Sequence, residues 1–150
     1  MAFRFALWLR ALGVLLGVQF VLGIWLTLYG TFPSTRNVVK ALLYRGDPVL
    51  TVHVALAVLL VILAFVIAVS AFLGETPPRL RWYTLGGFLA VLGAYEAGIQ
   101  LIESGFTSNP DSIAMLLLFL VAVAFYGLAQ LALRRAAKAV APAPTDPGVA

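Results

Sequence analysis

Cysteine is absent from all 150 residues, which excludes disulfides, thiolate metal sites, iron–sulfur ligation and thiol catalysis together. Charge is scarce as well: charged residues make up 11% of the chain, against about 25% in ordinary soluble domains. There is one histidine. The motifs of soluble enzymes are missing too, with no phosphate-cradling glycine loop, no GxGxxG, no HExxH and no nucleophile elbow. The net charge of +4 is not a nucleic-acid footprint, because the basic residues sit at the ends of apolar runs. What the chain has in excess is apolar surface, 63% of its residues. A soluble domain of this size buries only about two thirds of the surface its chain exposes. Lipid can take up the remainder.

Four nearly uncharged runs cover residues 12–29, 49–73, 82–102 and 113–133. A bilayer core of about 30 Å needs about 20 helical residues, and each run comes close to that or exceeds it. The second run, VLTVHVALAVLLVILAFVIAVSAFL, is rich in β-branched residues that favour strands in water. In lipid a helix satisfies every backbone group internally, so the expected fold is an all-α bundle of four transmembrane helices. The loop TFPSTRNVVKALLYRGDP between the first two spans has room for a short amphipathic helix. GETPPRLR makes a short hairpin, and SGFTSNPD offers turn residues and an Asp or Ser N-cap. Residues 1–138 thus form one transmembrane domain, and residues 139–150, ending in APAPTDPGVA, read as a disordered tail.

Arg4, Arg10, Arg79, Arg81, Arg134, Arg135 and Lys138 fall on one side of this topology, and Arg36, Lys40 and Arg45 on the other. The positive-inside rule then places both termini, and the tail, in the cytoplasm of a multi-pass plasma-membrane protein. The first span is too long for a signal-peptide core and lacks an A-x-A site, so it is expected to be permanent.

Spans one and three share a pattern. Gly23-Ile24-Trp25-Leu26 with Gly30 and Phe32 matches Gly98-Ile99-Gln100-Leu101 with Gly105 and Phe106. Asp47-Pro48 and Pro110-Asp111 then open the following spans. The chain reads either as two repeated helical hairpins, related by an axis along the membrane normal, or as glycine-rich helices that match by chance.

Polar groups within spans are costly and carry the functional candidates. His53 lies about one turn into the second span. It could be an axial ligand to haem iron through a neutral imidazole nitrogen, or an interfacial histidine that reaches water or a backbone carbonyl. Glu96, Gln100 and Glu103 form one stripe, and Gln19, Gly23, Thr27 and Gly30 another. These stripes could line a haem or quinone pocket, carry protons through Glu96, or simply bond helices together. Trp8, Trp25, Tyr29, Phe32, Tyr44, Trp82 and Tyr83 cluster at span ends as interface anchors. Arg36, Lys40 and Arg45 could neutralise haem propionates or lipid phosphates.

Two of these segments resemble a known family. LGVLLGVQFVLGIWLTLYG, with its Gln-x-x-x-Gly pattern, is similar to the first helix of a hairpin in the haem A synthase family. VHVALAVLLVILAFVIA resembles the helix that follows, which opens with a haem-ligating histidine. The resemblance covers the first half of the chain, and the second half through the repeat. It implies a compact, single four-helix unit that binds haem b, with His53 on the iron and Gln19 and Glu96 near the cofactor. The family's catalytic halves carry Glu-x-x-His, whereas Leu50 stands three residues before His53. Outer-loop cysteines found in part of the family are missing. A second iron ligand could come from Met115, five residues after Pro110 as His53 is five after Pro48, or from His53 of a second copy in a homodimer. The functions left open are haem modification or electron transfer, a non-catalytic subunit of a larger respiratory or transport complex, and a proton or small-solute carrier using Glu96. Whether the chain is an enzyme stays open with them.

Overall fold

Runs this apolar have one way to satisfy their backbone in lipid, and the chain takes it. In a computed structural model, which describes residues 2–42, 44 and 46–140, the elements are α1 (Ala2–Tyr29), α2 (Val38–Leu42), α3 (Pro48–Leu73), α4 (Pro78–Glu103) and α5 (Asn109–Val140). Four of them are long and apolar enough to cross a membrane, over Phe5–Tyr29, Pro48–Leu73, Pro78–Glu103 and Asn109–Ala136. The protein is therefore a multi-pass membrane protein built as an all-α four-helix bundle. α1 begins ten residues before its uncharged run and α5 ends seven after its own, because the flanking charged residues continue the helix. The short helix expected in the first loop is α2, five residues long. α5 continues to Val140, and the rest of the expected tail, 141–150, lies outside the described residues, as does Arg45.

The ends of the helices have identifiable causes. Asp47 caps α3: Oδ1 accepts from the amides of Val49 (2.9 Å) and Leu50 (3.3 Å), with Pro48 at the first helical position. Its Oδ2 accepts from the Thr31 amide at 3.1 Å, which ties the exit of α1 to the entry of α3. The Thr31 amide above all, then those of Val49 and Leu50, hold this carboxyl below its ordinary value of 3.8, while desolvation acts the other way. A lowered carboxylate stabilises the fold above its unfolded pKa, and that contribution is lost as pH falls through the folded value. Asp47→Asn should therefore flatten the loss of stability below about pH 4, and Asp47→Ala should cost about 1 kcal/mol at neutral pH, both read from thermal unfolding in detergent. At the other end of α3, Arg81 donates to the Gly74 carbonyl at 3.2 Å and closes the α3–α4 turn. α4 ends in a Schellman turn, with Gly105 at φ 72 and the Phe106 amide bonded to the Leu101 carbonyl at 2.8 Å. Phe106 itself sits at φ 62, a conformation that costs about 1–2 kcal/mol outside glycine, and its ring stacks on Phe32 at 4.6 Å.

Neighbours around the bundle run α1, α3, α4, α5, with α5 returning against α1. The expected repeat pairs α1 with α4 and α3 with α5, and part of the burial pattern keeps its chain offsets. Leu9, Leu12 and Leu16 are buried in α1, and Thr84, Gly87 and Val91, each at the same chain offset, are buried in α4. Leu60, Ala64 and Ile67 of α3 correspond in the same way to Ala122, Tyr126 and Ala129 of α5. The offset for α1 and α4 also pairs Gly23 with Gly98, and the offset for α3 and α5 pairs His53 with Met115. Within this frame α4 and α5 pack closely because Gly86 and Gly87 admit the rings of Phe125 and Tyr126, where a Cβ would lie 2.7 Å from either ring.

Candidate functional site

The polar site of the bundle lies between α1 and α3, toward the end that carries the α1–α3 loop. Gln19 and Gly23 are one turn apart on α1 and face the same way. Opposite them, α3 presents His53. Gln19 is only 8% exposed, and its Nε2 lies 3.2 Å from His53 Nε2. Gly23 lets the ring lie close: a Cβ there would be 3.4 Å from His53 Cε1.

Two atoms of this pair are left over. His53 Nδ1 and Gln19 Oε1 are buried with no hydrogen-bond partner. Buried polar atoms are nearly always satisfied and each exception asks for a cause; Arg81 Nε and Tyr126 Oη are two further ones among the described residues. A carboxamide can present either its nitrogen or its oxygen to the ring. With the oxygen inward, His53 Nε2–H donates to Gln19 and Nδ1 keeps a bare lone pair. That is the pattern of a metal-ligating histidine, one nitrogen held by a second group and the other free to coordinate.

The donor set narrows the chemistry further. Among the described residues no three His, Asp or Glu side chains come together. Haem brings four nitrogen donors of its own and asks the protein for one or two axial ligands. Met115, the positional counterpart of His53, has its sulfur 3.6 Å from where a Gly98 Cβ would stand, so both half-buried side chains lie against a glycine of the preceding helix. His53 thus offers one unpartnered imidazole nitrogen, and neither groove found among the described residues includes His53 or Met115.

Other expected site residues lie elsewhere. Glu96 is exposed on the outward face of α4, where its contact is the Gln100 amide at 3.5 Å. It does not join Gln19 and His53, since α4 turns Ala97, Val91 and Ala90 inward and leaves Glu96 on the opposite side. Thr27 bonds back to the Gly23 carbonyl at 2.9 Å and is satisfied within its own helix. Trp25 and Tyr29 pack on each other at 4.9 Å and are exposed.

Asp47, expected with Pro48 to open the second long span, also ties it to α1 through Thr31. Not anticipated from the residues alone is a groove of about 370 Å³ between α1 and α5, lined by Gly13, Gly17, Phe20, Phe119, Tyr126 and Gln130 among others, which does not include His53 or Met115. The Gln130 amide donates across it to the Leu9 carbonyl at 3.2 Å. Comparison of the chain with protein-family models, with curated proteins and with solved structures finds no match.

Proposed function

We propose that the protein binds haem b in the plasma membrane, with His53 as an axial ligand, and serves electron transfer or haem modification. The observation that carries this reading is the buried imidazole with one nitrogen engaged by Gln19 and the other without a partner. The resemblance of α1 and α3 to a haem A synthase hairpin supports it. In this reading both termini are cytoplasmic, so His53 sits toward the outer leaflet. In it Gln19 would orient the imidazole, Met115 is the candidate second ligand, and the exposed Arg36 and Lys40 could neutralise propionates. Bound haem would supply reversible one-electron exchange. Gly23 and Gly98 keep the helix surfaces beside the two ligands free of side chains.

The test is the visible spectrum of the purified full chain, oxidised and dithionite-reduced, beside His53→Ala. The expected result is a Soret band and a reduced α-band that His53→Ala abolishes. A colourless protein after expression with added haem, or bands unchanged by the substitution, would overturn the reading.

A second reading, a non-catalytic subunit of a membrane assembly, is favoured by one separate observation: Glu96 and Gln100 face out of the bundle over the last two turns of α4. The same placement takes Glu96 away from any path through the bundle interior and weighs against its use as a carrier group.

A further inference from the structure

The groove between α1 and α5 has an apolar body and a basic mouth. Leu16, Phe20 and Phe119 wall it, and Gly17 and Gly127 add no side chains to it. These two glycines differ from Gly86 and Gly87, which let rings pack closely. A Cβ at Gly17 or Gly127 would meet nothing within 4 Å, so the space they leave stays open. The volume of about 370 Å³ falls within the range of about 300–1,000 Å³ usual for small-molecule sites. Along α5 the groove reaches from Gln130 to Phe119, roughly 16 Å at about 1.5 Å per residue, close to one leaflet of a hydrocarbon core of about 30 Å. A smaller hollow adjoins it at Gln130, and Arg10 and Arg134 line that hollow. Arg10 stands two residues before the first uncharged run and Arg134 directly after the fourth, so both lie where hydrocarbon gives way to headgroups. No carboxylate answers them there. Neither hollow has an Asp or Glu among the described residues that line it, α1 contains none, and the one acid of α5, Asp111, is at the opposite end of that helix.

We propose that this seam is a binding site for an anionic phospholipid, with one acyl chain lying in the groove between α1 and α5 and the phosphate meeting Arg10 and Arg134. The two parts of the site match the two parts of such a molecule, in the order and at the depth that a bilayer imposes. Guanidinium groups suit the head, because their planar fork can give two N–H donors to phosphate oxygens. Basic pockets between transmembrane helices are a recurrent setting for anionic headgroups. The Gln130 amide, which donates to the Leu9 carbonyl at 3.2 Å, spans the seam where the apolar groove meets the basic hollow. The inference is independent of haem binding, since His53 meets α1 on the side that faces α3.

The test reconstitutes the full chain into vesicles of equimolar phosphatidylglycerol and phosphatidylcholine, re-extracts it in mild detergent, and counts the retained lipid by native mass spectrometry. The expected result is phosphatidylglycerol bound to the 16.0 kDa chain and preferred over phosphatidylcholine about 30-fold, from about 1 kcal/mol for each arginine. Arg10→Gln with Arg134→Gln should abolish that preference. Arg79→Gln with Arg135→Gln, which removes two exposed charges from the same end but outside the hollow, should keep it. Gly17→Leu with Gly127→Leu puts side chains into the groove and should lower retention of both lipids about tenfold, the equivalent of two buried CH₂ groups. All six substituted positions are exposed, so helicity by circular dichroism should stay unchanged throughout. No retained lipid, equal retention of the two lipids, a preference that survives loss of Arg10 and Arg134, an equal loss with Arg79 and Arg135, or full retention in the glycine variant would each overturn the proposal.

Discussion

Gly87→Ala should destabilise the bundle by about 1–3 kcal/mol, the usual cost of forcing extra atoms into a packed core. The added methyl would lie 2.7 Å from Cζ and 2.8 Å from Cε2 of Tyr126, a side chain that is 1% exposed. Helix propensity alone predicts the opposite sign, since alanine is better than glycine in a helix by about 1 kcal/mol. Gly17 and Gly127 supply the control. A Cβ at either meets nothing within 4 Å, so Gly17→Ala and Gly127→Ala should be neutral or stabilising by up to about 1 kcal/mol. A compensating pair adds a further check: Tyr126→Leu beside Gly87→Ala should cost less than the two singles together, because the clash and the unpartnered hydroxyl leave with the ring. Unfolding by denaturing detergent, followed by circular dichroism, measures all of these. Equal effects at Gly87 and Gly17 would show that the close approach of α4 and α5 is not set by this glycine.

Gln19→Leu should weaken haem retention about 10- to 100-fold while His53 stays in place, as expected when a group that orients a metal ligand is removed. Leucine fills a similar volume but cannot hold the imidazole, so both ring nitrogens lose their fixed roles. The same pair makes a prediction without cofactor. Each of Gln19→Leu and His53→Leu leaves a buried polar partner unsatisfied, at about 1–3 kcal/mol, whereas the double substitution removes both groups and should be nearly neutral. Haem retention is read by spectral titration with hemin, and stability by unfolding of the haem-free protein. A Gln19→Leu protein that holds haem as tightly as the parent would remove Gln19 from the site.

Much of this was legible in the residues, and the reasons differ by feature. The number and type of the long helices follow from length and apolarity, because the bilayer admits few alternatives. Glycine spacing and the two proline turns pointed to a repeated hairpin, and the burial of Leu9, Leu12 and Leu16 against Thr84, Gly87 and Val91 follows the same offset. The direction of each helix face was not legible. In water the apolar stripe marks the inside, but here the outward surface, with Val14, Val21, Ile62, Leu117 and Leu120 exposed, is as apolar as the core. Glu96 could therefore be placed in depth but not in direction. The Gln19–His53 contact spans 34 positions and depends on how α1 and α3 slide past one another. The Asp47–Thr31 bond in the loop ties the two helices together at that end. The role of Gly86 and Gly87 was hidden for a similar reason: a glycine pair in a span does not say which ring will lie over it.

The most direct test of the central claim is the haem content per chain after hemin reconstitution and washing, measured as the pyridine haemochrome for the full-length protein and for His53→Ala in the same detergent. The account predicts a defined haem content in the parent, with a reducible spectrum, and loss of nearly all of it in His53→Ala. Equal haem content in the two proteins, or none in the parent, would contradict it.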